Sequence, residues 1–217
     1  MRGTFSGGTA ASLKATMAAV AADPQALALL KNPFSLTPGF EGPKQPHGAK
    51  PEYDEDLGSW CAPFVMAAIN TRNVHRTNAL LGHAYGRDFV YDEMVLTGPG
   101  EKGEAIARGM AAAGSGMDKE DAPKPGEGPS REEREKGFYD VLFFGRTAAG
   151  QTLRVAVSGD RDPGYGSTSK MITEAALCLL KDDVPNLGGL TTPGAALGDT
   201  LIARLQARAG LKFVVES

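Results

Sequence analysis

Two breaker-rich segments limit what this chain can build more than any other feature. Between Asn32 and Asp56 stand Pro33, Pro38, Pro43, Pro46 and Pro51, with Gly39, Gly42 and Gly48 among them. Gly114 to Pro129 repeats the pattern as Gly-Ser-Gly and then Pro-Lys-Pro-Gly-Glu-Gly-Pro. Proline removes a backbone donor and glycine frees φ, so neither segment suits a helix or a central strand. Loops of this length inside a compact fold are more often functional or interfacial than idle. The chain must therefore be assembled from short elements between these breaks. Its 28 glycines in 217 residues are nearly twice the usual share of roughly 7 %. With 41 % hydrophobic residues it can still bury a core, and residues 1–217 are expected to form a single domain.

Helices are expected at Ala10–Ala22 with Thr9 as cap, and from Asp23-Pro24 to about Leu30. Others are expected at Pro63–Leu81, Glu101–Ala113, Ser167 or Thr168 to Lys181, and Thr192 to Gly210. Ser130 with Glu133 reads as a capping box. Extended segments are expected at Arg2–Ser6, Arg87–Leu96 and Leu211–Glu216. Phe138–Gly145 and Gln151–Ser158 flank a Gly150-containing turn and form the clearest hairpin signal. The mixture gives an α+β class, with a mostly antiparallel or mixed sheet and helices packed on one face.

Several function classes fall away. The 23 basic and 26 acidic residues leave no basic footprint for nucleic acid. No apolar run approaches the roughly 18 residues of a membrane span. Cys61 and Cys178 are too far apart for a CxxC pair, and His47, His75 and His83 lack metal-ligand spacing, so no metal is expected. The thiols fit a reducing cytoplasm.

Three constellations could carry chemistry. In Ser6-Gly7-Gly8-Thr9 the backbone amides at a helix start can converge on an anion, or the glycines merely form a tight turn. In the Pro63–Leu81 helix the apolar half Phe64–Ile69 is expected to be buried. The polar half, carrying Asn70, Arg72, His75 and Arg76, then enters a cleft or ends in solvent. Arg72 and Arg76 lie one turn apart and could grip a carboxylate or phosphate together. In Ser158–Gly166, Asp160, Arg161 and Asp162 can satisfy one another within Asp-Pro-Gly turn chemistry, and Tyr165 between two glycines can present its phenol as a donor or acid. Ser167-Thr168-Ser169-Lys170 matches S-x-x-K, but the companion segments of serine acyl-enzymes are missing. No G-x-G-x-x-G follows a strand.

Taken together, Gly3-Thr4-Phe5-Ser6-Gly7-Gly8-Thr9-Ala10-Ala11-Ser12, Ala62-Pro63-Phe64-Val65-Met66-Ala67-Ala68-Ile69-Asn70-Thr71-Arg72 with Val74-His75-Arg76, Gly126–Ser130, Gly159–Thr168 and the Thr192–Phe213 tail resemble saccharopine dehydrogenase-like oxidoreductases. That group includes the bacterial trans-acting enoyl reductases, and the resemblance runs over essentially the entire chain. Members of the group open with a Rossmann-type NAD(P) domain, whereas this sequence resembles their second domain. The resemblance implies the C-terminal, substrate-side and interface domain of an enzyme that reduces C=C or C=N bonds, inactive without its cofactor domain, some relatives acting on lipid or polyketide intermediates. NAD(P) would be bound by a Rossmann-type domain supplied in trans or lost by truncation, and a homodimer is a second expected partner. The implied cleft lining is Ser6, Gly7, Gly8, Thr9, Asn70, Arg72, Arg76, Asp160, Arg161 and Asp162; the resemblance assigns no acid or base, and Tyr165 and His75 are the catalytic candidates the residues offer. A stand-alone binding or dimerisation module without redox activity is the alternative.

Overall fold

A computed structural model describes residues 6–114, 123–185 and 188–216. The opening expected at Arg2–Ser6, apart from Ser6, and the Gly-Ser-Gly stretch, apart from Gly114, lie outside the described residues. The protein divides into two compact units, a continuous one at Leu13–Ala122 and a discontinuous one combining Met1–Ser12 with Pro123–Ser217. The class is α+β, with two antiparallel three-stranded sheets among the described residues.

The chain enters helix α1 (Gly7–Ala22) three residues earlier than expected. The cap is Ser6, whose Oγ accepts the Thr9 amide at 3.3 Å, so Thr9 itself stands inside the first turn. Asp23 caps α2 (Pro24–Lys31) as expected, its carboxylate accepting the Gln25 amide at 2.8 Å.

In the continuous unit, β1 (Glu52–Asp54), β2 (Ser59–Pro63) and β3 (Met94–Gly98) form one sheet in that order. Helix α4 (Gly100–Ala113) lies close against it. A Cβ on Gly103 would stand 1.9 Å from the Gly98 carbonyl oxygen, and Ala107 is fully buried. The glycine- and alanine-rich sequence of α4 is thus what lets helix backbone meet strand backbone.

Two expectations for this unit are corrected. Pro63 ends strand β2 instead of opening a helix, and α3 runs over Ala67–Leu80. The apolar stretch before and at its start is not buried: Val65 is 48 % and Ile69 52 % exposed, whereas His75 and Asn78 in the polar half are 3 % and 2 % exposed. The cause is the proline-rich loop, which supplies carbonyls but few amide donors. Arg72 Nε donates to the Asn32 carbonyl at 3.2 Å and Arg76 Nη1 to the Leu36 carbonyl at 3.1 Å. Asn78 closes the other side, donating to the Gly86 carbonyl and accepting from the Tyr85 amide, both at 2.9 Å. Residues 87–93, expected as strand, are irregular because the Gln45 amide clamps them. It accepts from the Tyr91 amide at 2.9 Å and donates to the Phe89 carbonyl at 3.3 Å.

The discontinuous unit contains α5 (Arg131–Lys136), β4 (Tyr139–Arg146), β5 (Thr152–Gly159) and α6 (Gly166–Lys181). After these come α7 (Pro193–Ala196), α8 (Gly198–Arg204), a π-turn at Leu205–Ala209 and β6 (Leu211–Glu216). The capping box of Ser130 and Glu133 is present in both directions. The hairpin forms one residue later than expected, pairing Tyr139 with Gly159 and Arg146 with Thr152, and β6 adds to β5 with Val157 opposite Phe213. Leu205, Ala209 and Leu211 pack with Met171, Leu201 and Phe213 to cover one end of this sheet. The single helix expected over Thr192–Gly210 is broken into α7, α8 and the π-turn, then stopped by Gly210 at φ +77°. Arg204 joins α8 to α6 through Glu174 (2.8 Å) and Asp182 (2.9 Å). No helix among the described residues is long and apolar enough to cross a membrane.

Candidate functional site

The sequence-predicted residues divide between the two units. Ser6 to Thr9, Asp160 to Asp162 and Tyr165 belong to the discontinuous unit, while Asn70, Arg72, His75 and Arg76 belong to the continuous one.

In the discontinuous unit the centre is the turn after β5. Asp162 is fully buried, and its carboxylate accepts the amides of Gly164 (2.9 Å), Tyr165 (3.1 Å) and Gly166 (2.5 Å). Its own amide donates to the Arg134 carbonyl at 3.1 Å, and its carbonyl accepts the Ser167 amide at 2.9 Å. Asp162, and not Ser167 or Thr168, therefore satisfies the start of α6. Ser167 lies inside the helix, fully buried, with its hydroxyl 2.9 Å from the Tyr139 phenol. The mutual ion-pair knot expected of Asp160, Arg161 and Asp162 does not form. Asp160 pairs with Lys170 at 3.7 Å and Arg161 with Glu135 at 3.9 Å.

Two glycines make the turn possible. A Cβ on Gly137 would come 2.4 Å from Asp162 Cα, and one on Gly159 would come 2.3 Å from the Tyr139 ring. The scaffold holds Tyr165 at 37 % exposure, with its hydroxyl donating to Ser6 Oγ. Two motifs far apart in sequence are thereby joined at one point.

The two glycines at the start of α1 differ: Gly7 is buried and Gly8 is exposed. Gly7 donates its amide to the Glu127 carbonyl at 3.0 Å, and a Cβ there would overlap the Lys124 carbonyl at 1.7 Å. Protein backbone therefore closes the Gly7 position, whereas a Cβ on Gly8 would meet only Ser6 Oγ at 3.4 Å.

In the continuous unit the arginines of α3 hold the proline-rich loop. Arg72 also donates to the Ala68 carbonyl, and burial lowers its guanidinium from the ordinary value. Asn70 donates to Glu93 Oε1 at 3.0 Å. His75 sits among rings, its centroid 4.5 Å from Phe34 and 5.8 Å from Phe89, with Nε2 sealed and unpartnered. Burial lowers its pKa from 6.5. Beside it opens a cleft of about 320 Å³ lined by Thr37, Phe40, Arg76, Leu80, His83 and Arg87, among others. Sequence reasoning did not single out His83 or Arg87. The available signal was Gly82-His83 directly after a helix, followed by an arginine four residues on. Both cysteines are free and buried, and among the described residues no group of three His, Cys, Asp or Glu is placed to hold a metal ion.

The chain is a partial homologue of trans-acting enoyl reductases. One relative from Mycobacterium tuberculosis that carries this name is 36 % identical over 232 residues, covering 95 % of this chain and 55 % of its own length. A trans-acting enoyl reductase of Mycobacterium bovis is 33 % identical over 226 residues, covering 92 % of this chain and 54 % of its own. One from Mycobacterium ulcerans is 33 % identical over 227 residues, with the same coverage. The chain thus spans about half the length of the curated relatives it matches. No protein-family model matches it, and no solved structure does.

Proposed function

We propose that this chain is the substrate-side part of an NAD(P)-dependent enoyl reductase of the saccharopine dehydrogenase-like kind. The reading rests on one observation above all: relatives named for enoyl reduction match nearly the whole chain while extending for about as much again. In this reading the cofactor is held by a Rossmann-type domain outside this sequence, because no G-x-G-x-x-G follows a strand within it. When bound, the cofactor supplies hydride to the carbon–carbon double bond.

Tyr165 is the group we assign to proton delivery. Its phenol is at the surface, is fixed through its backbone by Asp162, and donates to Ser6 Oγ, so a substrate atom replacing Ser6 would receive the same proton. His75 is not assigned this role, since at 3 % exposure among aromatic rings it has no path to a substrate. Ser6, Thr9 and Asp162 act as positioning residues for Tyr165.

The test is to fuse this chain to the portion of the 36 % identical relative that it does not match, and to follow NADPH oxidation with a short 2-enoyl thioester. Turnover by the fusion and none by this chain alone is expected. Tyr165→Phe should lower kcat by roughly a hundredfold, as loss of a general acid does, with the melting temperature little changed. A folded, NADPH-binding fusion without turnover would instead favour a binding or dimerisation module.

A further inference from the structure

Strand β6 ends its sheet with an edge that no other strand among the described residues pairs, since the strand order is β4, β5, β6. Its sequence, Leu-Lys-Phe-Val-Val-Glu, carries no proline or glycine, and its pairing with β5 runs without a bulge. A straight edge of this kind is a ready template for another strand, and natural sheets normally blunt it. Here it is left apolar on both faces, with Val214 51 % and Val215 69 % exposed.

The register of the sheet shows what those valines extend. On one face Phe143, Val155 and Val215 form a row across the three strands, and Val141, Val157 and Phe213 form the next. Leu205, Ala209 and Leu211 pack with Phe213, so the second row is covered at β6. Phe143 and Val215, at the two ends of the first row, are exposed. On the other face Leu142, Ala156 and Val214 form a third row. The first and third rows therefore both end at β6 on a valine in water.

We propose that β6 pairs antiparallel with β6 of a second copy of this chain, about a twofold axis at Val214, joining two three-stranded sheets into one of six strands. The sequence of the strand selects that register. A twofold axis that keeps the same face of both sheets on one side must oppose residues an even number of positions apart. With the axis at Val214, Lys212 stands opposite the partner's Glu216 and Phe213 opposite the partner's Val215, each pair occurring twice. Moving the axis to Phe213 sets Lys212 against a valine, and moving it to Val215 does the same to Glu216. Opposite charges and apolar pairs favour a cross-strand contact, and a charge against valine does not. Within one copy Lys212 stands opposite Ser158 and Glu216 opposite Arg154, so this register brings Lys212 an acid that β5 does not place opposite it. It also carries the Phe143 row on into the partner's Phe213. The other edge, β4, can set Asp140 against Arg146 of a copy, but that register opposes Val141 to Gly145 and leaves Val214 and Val215 in water. The surface lies wholly in the discontinuous unit and does not depend on the enoyl reductase reading.

Disulfide trapping of the full chain reads the register. Opposed residues of an antiparallel pair have Cα atoms about 4.5–5.5 Å apart, within the roughly 4.4–6.8 Å that a disulfide spans. Both native cysteines are buried, so mild oxidation should link Val214→Cys into a covalent dimer and leave the parent and Val215→Cys unlinked. By sedimentation equilibrium the parent should show a monomer–dimer equilibrium in roughly the micromolar range, as suits a small interface. Lys212→Glu sets acid against acid at both ends and should weaken the dimer about tenfold or more, with the melting temperature of the diluted monomer little changed. The proposal is overturned if the parent stays monomeric up to about 1 mM, or if Val215→Cys links as readily as Val214→Cys. It is equally overturned if Phe143→Cys links in place of Val214→Cys, which would put the contact on β4.

Discussion

Asp162 and His75 are both buried polar side chains at the centre of a unit, and the protein treats them in opposite ways. Asp162 has each oxygen matched to backbone amides and its own amide and carbonyl paired as well. His75 has Nε2 with no partner, and aromatic rings around it. The first is held by directed bonds that leave little geometric freedom, and the second by shape and burial, which tolerate substitution better. Precision is thus concentrated at the turn presenting Tyr165, whereas the His75 box needs mainly to be filled.

Substitutions can break that contrast, and the strongest should act on the Asp162 turn. Gly137→Ala puts a methyl into the Asp162 backbone, where no side chain can yield. A loss above about 4 kcal/mol by urea denaturation is expected, at the extreme of single substitutions. Asp162→Ala leaves its amide donors without an acceptor, and should cost about 3 kcal/mol or more. Asp162→Asn should cost less than the alanine variant because it keeps the shape and part of the acceptor capacity. On the other side, His75→Leu trades aromatic contact for removal of an unpaired nitrogen, and should stay within about 1 kcal/mol of the parent. If His75→Leu costs as much as Asp162→Ala, the contrast is wrong.

The pH dependence sharpens the same comparison. Burial holds the folded-state pKa of His75 below 6.5, so the unfolded chain takes up its proton first as pH falls. His75 therefore subtracts stability progressively below about pH 6.5 and nothing above it. Melting curves of His75→Leu should fall less steeply than the parent's between that pH and the folded pKa. The smallest effect concerns the thiols. Burial, followed by Asp54, Glu52 and Asp92, pushes Cys61 up to about 11, and burial also raises Cys178. Neither should react with a thiol reagent at pH 8 on the timescale of minutes unless the protein is unfolded.

Local chemistry made part of this legible in advance. Asp23-Pro24, the Ser130–Glu133 box and the β4–β5 hairpin depend on residues a few positions apart, and each stands where the sequence put it, give or take a residue. The orientation of α3 was hidden because its polar side chains find partners some forty positions away, in the carbonyls of a proline-rich loop. A hydropathy pattern cannot register acceptors of that kind. Strand β2 was hidden by its own shortness and by Pro63 at its end. At the site, Ser6 and Tyr165 each stood out in their motifs, but nothing in either motif said that they touch. His83 and Arg87 were hard to see for a different reason: beyond Gly82-His83 after a helix and an arginine four residues on, what sets them apart is a backbone angle and a shared ring.

The division of the chain also sets an order of events during synthesis. The continuous unit has all of its residues once Ala122 has been added, whereas the other cannot close until Lys124 to Glu127 arrive to meet Gly7. Its last strand, β6, pairs with β5 from the final residues of the sequence. On a ribosome working from the N-terminus, the unit carrying His75 can therefore mature first. The first turn of α1 must wait meanwhile, and a nascent chain arrested short of Glu127 has no native acceptor for the Gly7 amide.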